Sequence, residues 1–488
     1  MGMSGFEKRW GTRRHFAAAV AAIIASPEAL AQRSPKVAPS PAAPMDIDDI
    51  LSLQFEADDQ WMNPGATVAP VNVELAGRKR KEVISEVRGL IDRADPSYIP
   101  FRWAPDLQSP DYHHLASMQK VATPRGDIST SFSSSPFQLS AATLQRIAAA
   151  NYFEPALPPA RTYSKNTGMT LFALRGCISG DVGPGWKDTV TLTEVMPDHR
   201  ARKCIIGIWN GATRKIQVFE GSTVPAELHM AVYQTWLGYA PAERQRLGDW
   251  ETNMFPQGLH LKEVGTMWKG KPIGAQLPLS FKQFNTTPIL RAMKGEQYDL
   301  ASDWDPARLQ DLRLVGDNLH AGIVNHPAIR FSSQGCQTIR GRYVDGVGQE
   351  HVGLVHTALG LSPAAKRVEG ESRTGSPIVN YFSASDGARY PFLMITGREA
   401  RLHALGADPA AMRRIRIGSE AAAAAPPGHP VKRLKAAIGA DGSNAFDGVA
   451  MFHLLRRQKS YQSKADAIIA PHTAPAIGFQ FDLPSGKI

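Results

Sequence analysis

The stretch Asp317–Arg342, DNLHAGIVNHPAIRFSSQGCQTIRGR, sets His320 ahead of Cys336, which follows a small Ser-Gln-Gly turn. A thiol is a useful nucleophile as thiolate, and a nearby imidazole is the usual device for generating it. Gly335 leaves the backbone beside the sulfur open, so backbone N–H groups there can face a developing oxyanion. If residues 337–342 form a strand, side chains two apart share a face, and Cys336, Thr338 and Arg340 point the same way. Arg340 then offers a guanidinium that can bind a substrate carboxylate through two parallel hydrogen bonds, or it is a plain surface residue. The chemistry this pattern suggests is cysteine acyl transfer, with Cys336 as nucleophile, His320 as base and Gly335 at the oxyanion. Ser333, Gln334, His326 and Arg340 are the candidate substrate contacts. No metal and no organic cofactor is required.

These residues sit in a chain of 488 residues, long enough for two or three domains. An apolar fraction of 43% suits hydrophobic cores, and the net charge is +10. A basic surface favours polyanions: nucleic acid, anionic lipid or the acidic polymers of a cell wall. The N-terminus narrows that choice. Thr12-Arg13-Arg14-His15-Phe16 precedes an apolar run, Ala17–Ala25, and Ala29-Leu30-Ala31 supplies small residues for cleavage. This resembles a twin-arginine export signal cut after Ala31. The run is about half of the ~20 residues needed to cross a bilayer, so no stable membrane insertion is expected. The implied address is the periplasm of a Gram-negative bacterium, with no nucleic-acid partner. The basic run Arg78–Lys81 reads as solvated surface. In an oxidising compartment Cys177 and Cys204 either bridge or remain two buried thiols; both readings stand.

The organisation follows from composition. After the signal (1–31) comes a Pro/Ala-rich linker (32–44) and a poorly assigned α/β region (45–165). That region carries an amphipathic helix with Val83, Val87, Leu90 and Ile91 on one face, and a helix over Ala141–Ala150 capped by Ser140. From 166 to 400 the texture is mainly β, with an alternating strand at Thr189–Val195. Strands at Cys204–Trp209 and Lys215–Phe219 flank an Asn210-Gly211 hairpin signal. Further strands are expected at Leu259–Met267, Val352–His356 and Tyr390–Thr396, with one helical excursion over Pro225–Arg246. The fold class this implies is an antiparallel β-sandwich or barrel. Residues 401–428 read as a second linker, and 429–480 as a small all-α unit built on Val431–Ile438 and Asp447–Tyr461 around an Asp441-Gly442 turn.

His320-Ala321-Gly322 followed by Ser333-Gln334-Gly335-Cys336 resembles the His…Ser-His-Gly-Cys signature of L,D-transpeptidase (YkuD-type) catalytic domains. FEGSTVP at Phe219–Pro225 and NMFPQGLHLKEVGT at Asn253–Thr266 add to the likeness. The resemblance implies that Cys336 is the nucleophile and His320 the base, with Ser333 and Gly335 shaping the motif. It also implies that peptidoglycan stem peptides are the substrate. The sequence departs from the pattern at Gln334, where the family has histidine, and at Thr338, where it has arginine.

The C-terminal segment resembles a three-helix peptidoglycan-binding domain. Val431, Leu434, Gly439, Asp441, Gly442, Phe446, Asp447, Leu455, Gln458, Ile469, Pro471 and Thr473 carry that likeness, and glycan is the implied partner. Two other readings compete with the enzyme. One is a wall-binding protein with a degenerate site. The other is a zinc-dependent wall hydrolase drawing ligands from His320, His326, His351, His356 or Cys336.

Overall fold

The computed structural model describes residues 74–75, 78–79, 85, 89, 110–116, 118–153, 168–231, 253–254, 256–264, 280–283, 290–291, 318–322, 333, 335–344, 347–364, 366–371, 377–382, 387–440, 443–461 and 465–481. The export signal, the 32–44 linker, His326, Gln334 and the Asp441-Gly442 turn lie outside them, as do most residues of the helix expected around Val83–Ile91.

Strand β1 (Phe137–Ser140) runs directly into helix α1 (Ala141–Ala150). Ser140 starts the helix as expected: its hydroxyl accepts the Thr143 N–H at 3.2 Å. Strands β2 (Met169–Arg175), β3 (Cys177–Ser179), β4 (Thr189–Glu194), β5 (Cys204–Asn210) and β6 (Lys215–Ser222) follow. The Asn210-Gly211 signal does mark the β5–β6 hairpin, with Asn210 paired to Lys215. Beyond it come β7 (Gly258–Val264), β8 (Phe281–Gln283), β9 (Leu319–Ala321) and β10 (Gln337–Ile339). Then follow α2 (Glu350–Ala358), the β11 (Lys366–Glu371) and β12 (Pro377–Phe382) hairpin, β13 (Arg389–Thr396) and α3 (Gly397–Ala404).

Eight of these strands, in the order β6-β10-β9-β8-β7-β13-β2-β5, return to β6 and form a barrel-like sheet. A small sheet β1-β4-β3 stands beside it. The expected barrel is present, but it is mixed rather than antiparallel. Joints β9–β10 and β13–β2 are parallel. A parallel pair needs a long crossover, which residues 322–336 supply for β9 and β10. Among the described residues β8 and β9 are joined by the pair Phe281 and Leu319.

The barrel wall is buried on both sides, which explains the continuous apolar run of β2. Leu171 and Ala173 face a core inside the barrel with Ile206, Ile208, Phe219, Val264, Leu319, Ile339 and Phe392. Phe172 and Leu174 face a second core outside it, with Leu144 and Ile147 of α1, Val190 and Leu192 of β4, and Ala400 of α3. Gly207 permits this layering: a Cβ there would lie 2.1 Å from the Phe172 ring. Residues 352–356, expected as a strand, lie instead in α2. Its buried Val352, Val355 and His356 follow helical spacing, and the β-branched composition concealed that period.

Polar side chains run through the interior as a connected chain. Arg175 donates to Asp111 at 2.5 Å, and Gln257 donates to the same Asp111 oxygen at 3.0 Å. Arg416 donates to Gln257 at 3.2 Å and grips both oxygens of Glu399 at 2.6 and 2.7 Å. His114 donates to Glu399 at 3.2 Å. Burial alone would raise the Glu399 pKa, but the Arg416 charge and the His114 hydrogen bond hold it well below the usual carboxylate range.

This chain corrects the expectation of a linker over the first part of 401–428. Met412, Arg414, Ile415, Arg416, Ile417 and Ser419 are buried, and 412–421 is a packed strap, whereas 422–428 is largely exposed. The strap bonds to α1 through Arg414 N–H to Ala150 O (2.9 Å), and to the barrel through Leu259 N–H to Ile417 O (3.0 Å). It also bridges Ile415 to Ile469 near the C-terminus. Gly418, at φ +83°, makes the close approach possible, since a Cβ would strike Leu259 O at 2.2 Å. The helices α4 (Pro430–Ile438) and α5 (Gly448–Tyr461) appear where expected, packed around Val431, Leu434, Phe446 and Leu454.

Two outcomes follow. Replacing Glu399 with Gln leaves Arg416 buried without its carboxylate, so E399Q should lose about 3–5 kcal/mol in urea unfolding at neutral pH. A loss below about 1 kcal/mol would contradict the account. Asp466, pushed up to about 6 by burial, favours folding when protonated, and that contribution is lost as pH rises through 6. D466N keeps an acceptor for the Ile468 N–H and for Gln458, so its melting temperature should exceed wild type near pH 8. The gain should shrink towards pH 4.

Candidate functional site

Parallel pairing of β9 with β10 places His320 and Cys336 on neighbouring strands. His320 is registered against Thr338, and Leu319 against Gln337. Paired residues in a parallel ladder share a face, so His320 and Thr338 lie side by side, with Cys336 at the entry of β10. The Asn318 carbonyl accepts the Gln337 N–H at 2.9 Å, and the Asn318 N–H donates to Cys336 Sγ at 3.2 Å. The sulfur thus stands where the next ladder carbonyl would stand.

The His320 ring is equally defined. It is buried, and Nδ1–H donates to the Ala321 carbonyl at 2.6 Å. A carbonyl only accepts, so the proton is on Nδ1 and Nε2 carries the lone pair. Nε2 is buried and makes no hydrogen bond among the described residues. Burial, followed by the charge of Lys262, lowers the ring pKa to about 4, against the hydrogen bond to Ala321. The imidazole is therefore neutral near pH 7 and has the form of a base.

Other expected site residues take different parts. The Ser333 hydroxyl accepts the Gly335 N–H at 3.0 Å and donates to the Cys336 carbonyl at 2.6 Å. Ser333 is thus a staple of the turn rather than a substrate contact, and the Gly335 N–H is turned to Ser333 instead of an oxyanion. Arg340 donates to Glu350 at 2.7 Å and to Glu220 at 3.0 Å, so both carboxylates occupy the guanidinium proposed for substrate. The strand ends at Ile339, so the expected common face of Cys336, Thr338 and Arg340 breaks there: Thr338 is buried and Arg340 is exposed.

Among the described residues no three His, Cys, Asp or Glu side chains are placed to hold a metal ion. His351 accepts the Glu220 N–H at 3.1 Å, while His356 donates to the Val352 carbonyl at 2.7 Å and stacks on Phe281. Cys177 and Cys204 are free and buried. They belong to opposite sides of the barrel wall, Cys204 in the inner core and Cys177 in the outer one, so the bridge reading is dropped. Burial pushes the Cys204 thiol up to about 12, and raises that of Cys177 as well.

Two residues went unnoticed in the sequence, Asn318 and Lys262. Asn318 acts through its backbone, which no side-chain pattern announces. Lys262 lies in a strand of alternating type and gives no sign of being fully buried.

Comparison of the chain with protein-family models, with curated proteins and with solved structures finds no match. Among the described residues no helix is long and apolar enough to cross a membrane.

The His320 assignment can be measured directly. In a histidine NMR titration the ring should keep Nδ1–H and a bare Nε2 from about pH 8 to about pH 5, protonating near 4. An unfolded histidine titrates near 6.5, so the buried neutral ring contributes stability above that pH. The contribution falls away as pH drops towards 4. A His320 midpoint near 6.5 would overturn the buried-base geometry.

Proposed function

We propose that this protein is an exported cell-wall enzyme, a cysteine acyltransferase of L,D-transpeptidase type acting on peptidoglycan stem peptides. The observation that carries this reading is the neutral His320, with its bare Nε2 one parallel strand away from a sulfur already facing a backbone N–H. The reading draws also on the signature residues His320, Ser333, Gly335 and Cys336, on the signal-like N-terminus and on the C-terminal helical segment.

In this mechanism His320 Nε2 takes the Cys336 proton, and the thiolate attacks the carbonyl joining diaminopimelate to D-Ala in a stem tetrapeptide. The tetrahedral oxyanion collapses to a thioester as the C–N bond breaks, and the departing D-Ala amine receives the proton from His320. An amine of a second stem, or water, then attacks the thioester and returns the thiol. Because Nε2 makes no hydrogen bond among the described residues, His320 must close on the sulfur when substrate binds, as catalytic contacts commonly do. The helices α4 and α5 would hold the chain on its polymeric substrate, and the periplasm is the compartment where that polymer lies.

A second reading has a specific observation behind it. Cys336 is 4% exposed, and the Gly335 N–H is consumed by Ser333. A wall-binding protein with a closed, inactive site would look the same at rest.

One experiment separates the two. Wild-type protein is incubated with a carbapenem and its intact mass measured, alongside C336S and H320A, and each is assayed on tetrapeptide muropeptides. The enzyme reading expects an adduct on Cys336 and none in C336S. H320A should be slower by about 10²–10⁴-fold. No adduct and no turnover in wild type would leave the binding-protein reading in place.

A further inference from the structure

Lys262 stands at the centre of the barrel. It lies on β7, where His260, Lys262 and Val264 alternate towards the interior, and its side chain is wholly buried. Its Nζ donates to Gln337 Oε1 at 2.8 Å and sits 5.3 Å from the centre of the Phe392 ring. Gln337 is the residue immediately after Cys336. Its side chain enters the barrel, while the sulfur of Cys336 turns along the ladder towards Asn318. An ammonium group withdrawn from water is costly, and buried lysines of this kind concentrate where charge is used.

We propose that Lys262 is a positioning residue for Cys336, its charge held directly behind the nucleophile by Gln337 and Phe392 so that the thiolate is stabilised across the barrel wall. The inference rests on the reading of Cys336 as the reactive thiol, though not on any particular substrate. It explains why a lysine occupies a site that a methionine would fill without desolvation cost. The same charge acts on His320, disfavouring its protonated form and keeping Nε2 available as a base. Thiolate and neutral imidazole are thus promoted by one buried cation.

The other charged and titratable groups around Cys336, among the described residues, come from several elements. His320 lies on β9. Arg175 on β2 is paired with Asp111 and bonds to Thr223. Glu227 is ion-paired with Arg200, and His199 bonds to the Pro225 carbonyl. Glu220, Arg340 and Glu350 form an exposed group beyond the end of β10. Lys262 is the one among them that bonds to the residue adjoining the nucleophile.

The test uses the full chain. Iodoacetamide alkylation of Cys336 is followed by peptide mass spectrometry across a pH series, in wild type, K262M and K262R. The half-maximal pH of alkylation should rise by about one unit or more in K262M and stay near wild type in K262R. A folded K262M with an unchanged profile overturns the proposal. If K262M does not fold, Q337M decides, because it removes the carbonyl that holds Nζ. Its profile should move upward, and an unchanged one overturns the proposal equally.

The outcome is separable from that of the function above. A Lys262-dependent profile in a protein inert to carbapenem and muropeptide would sink the enzyme reading and keep this one. An active enzyme with a Lys262-independent thiol would do the reverse.

Discussion

The contact of Arg416 Nη2 with both oxygens of Glu399 is the one on which the rest of the molecule depends. Glu399 opens helix α3 and Arg416 lies on the packed strap that leads to the C-terminal helices. Through His114 the same carboxylate reaches the helical turn at 113–116, and through Gln257 and Asp111 the chain of bonds reaches Arg175 in the barrel. Segments widely separated in sequence are thereby fixed by one set of charge-assisted hydrogen bonds. Such bonds are strong only while every member is satisfied, because an orphaned charge at this depth costs several kcal/mol. The fold is accordingly held by polar order as much as by apolar burial.

The barrel holds His320 and Cys336, the candidate site residues, away from water. An antiparallel sheet with one wet face would leave His320 solvated and its ring titrating near the ordinary value. Here His320 is buried, and its withdrawal from water drives the imidazole to its neutral form. The parallel register of β9 and β10 matters equally. It sets the Asn318 N–H, rather than a side chain, against the sulfur, and it puts the Cys336 turn beside a strand end where Ser333 can tie it down.

Several pieces were legible in the chain itself. The cap at Ser140, the hairpin at Asn210, the strand ending at Thr396 and the helices after Pro430 all follow from local rules of capping, turn chemistry and hydrophobic period. The candidate site residues were legible by type, since a cysteine after glycine with a histidine upstream is uncommon enough to notice. Other parts were not. Arg340 looked like a free guanidinium, and only the fold shows Glu220 and Glu350 beside it. The 401–428 stretch looked like a tether for its alanines and prolines, whereas its first twenty residues bury three arginines. Residues 352–356 looked like a strand because β-branched side chains suit strands, and packing of α2 against the barrel outweighed that weak preference.

What the sequence by itself determined was local: where helices start, where hairpins turn, and which side chains have the chemistry for acyl transfer. Those properties depend on neighbours within a few residues, so they survive in one dimension. Tertiary structure alone decided which groups are buried and what each one faces. Lys262 inside the barrel, the proton on Nδ1 of His320, the sulfur of Cys336 on a backbone amide and the two cysteines on opposite sides of the wall are all consequences of strand register. Register is set by long-range pairing, and a shift of one residue would turn each of these side chains to the other face.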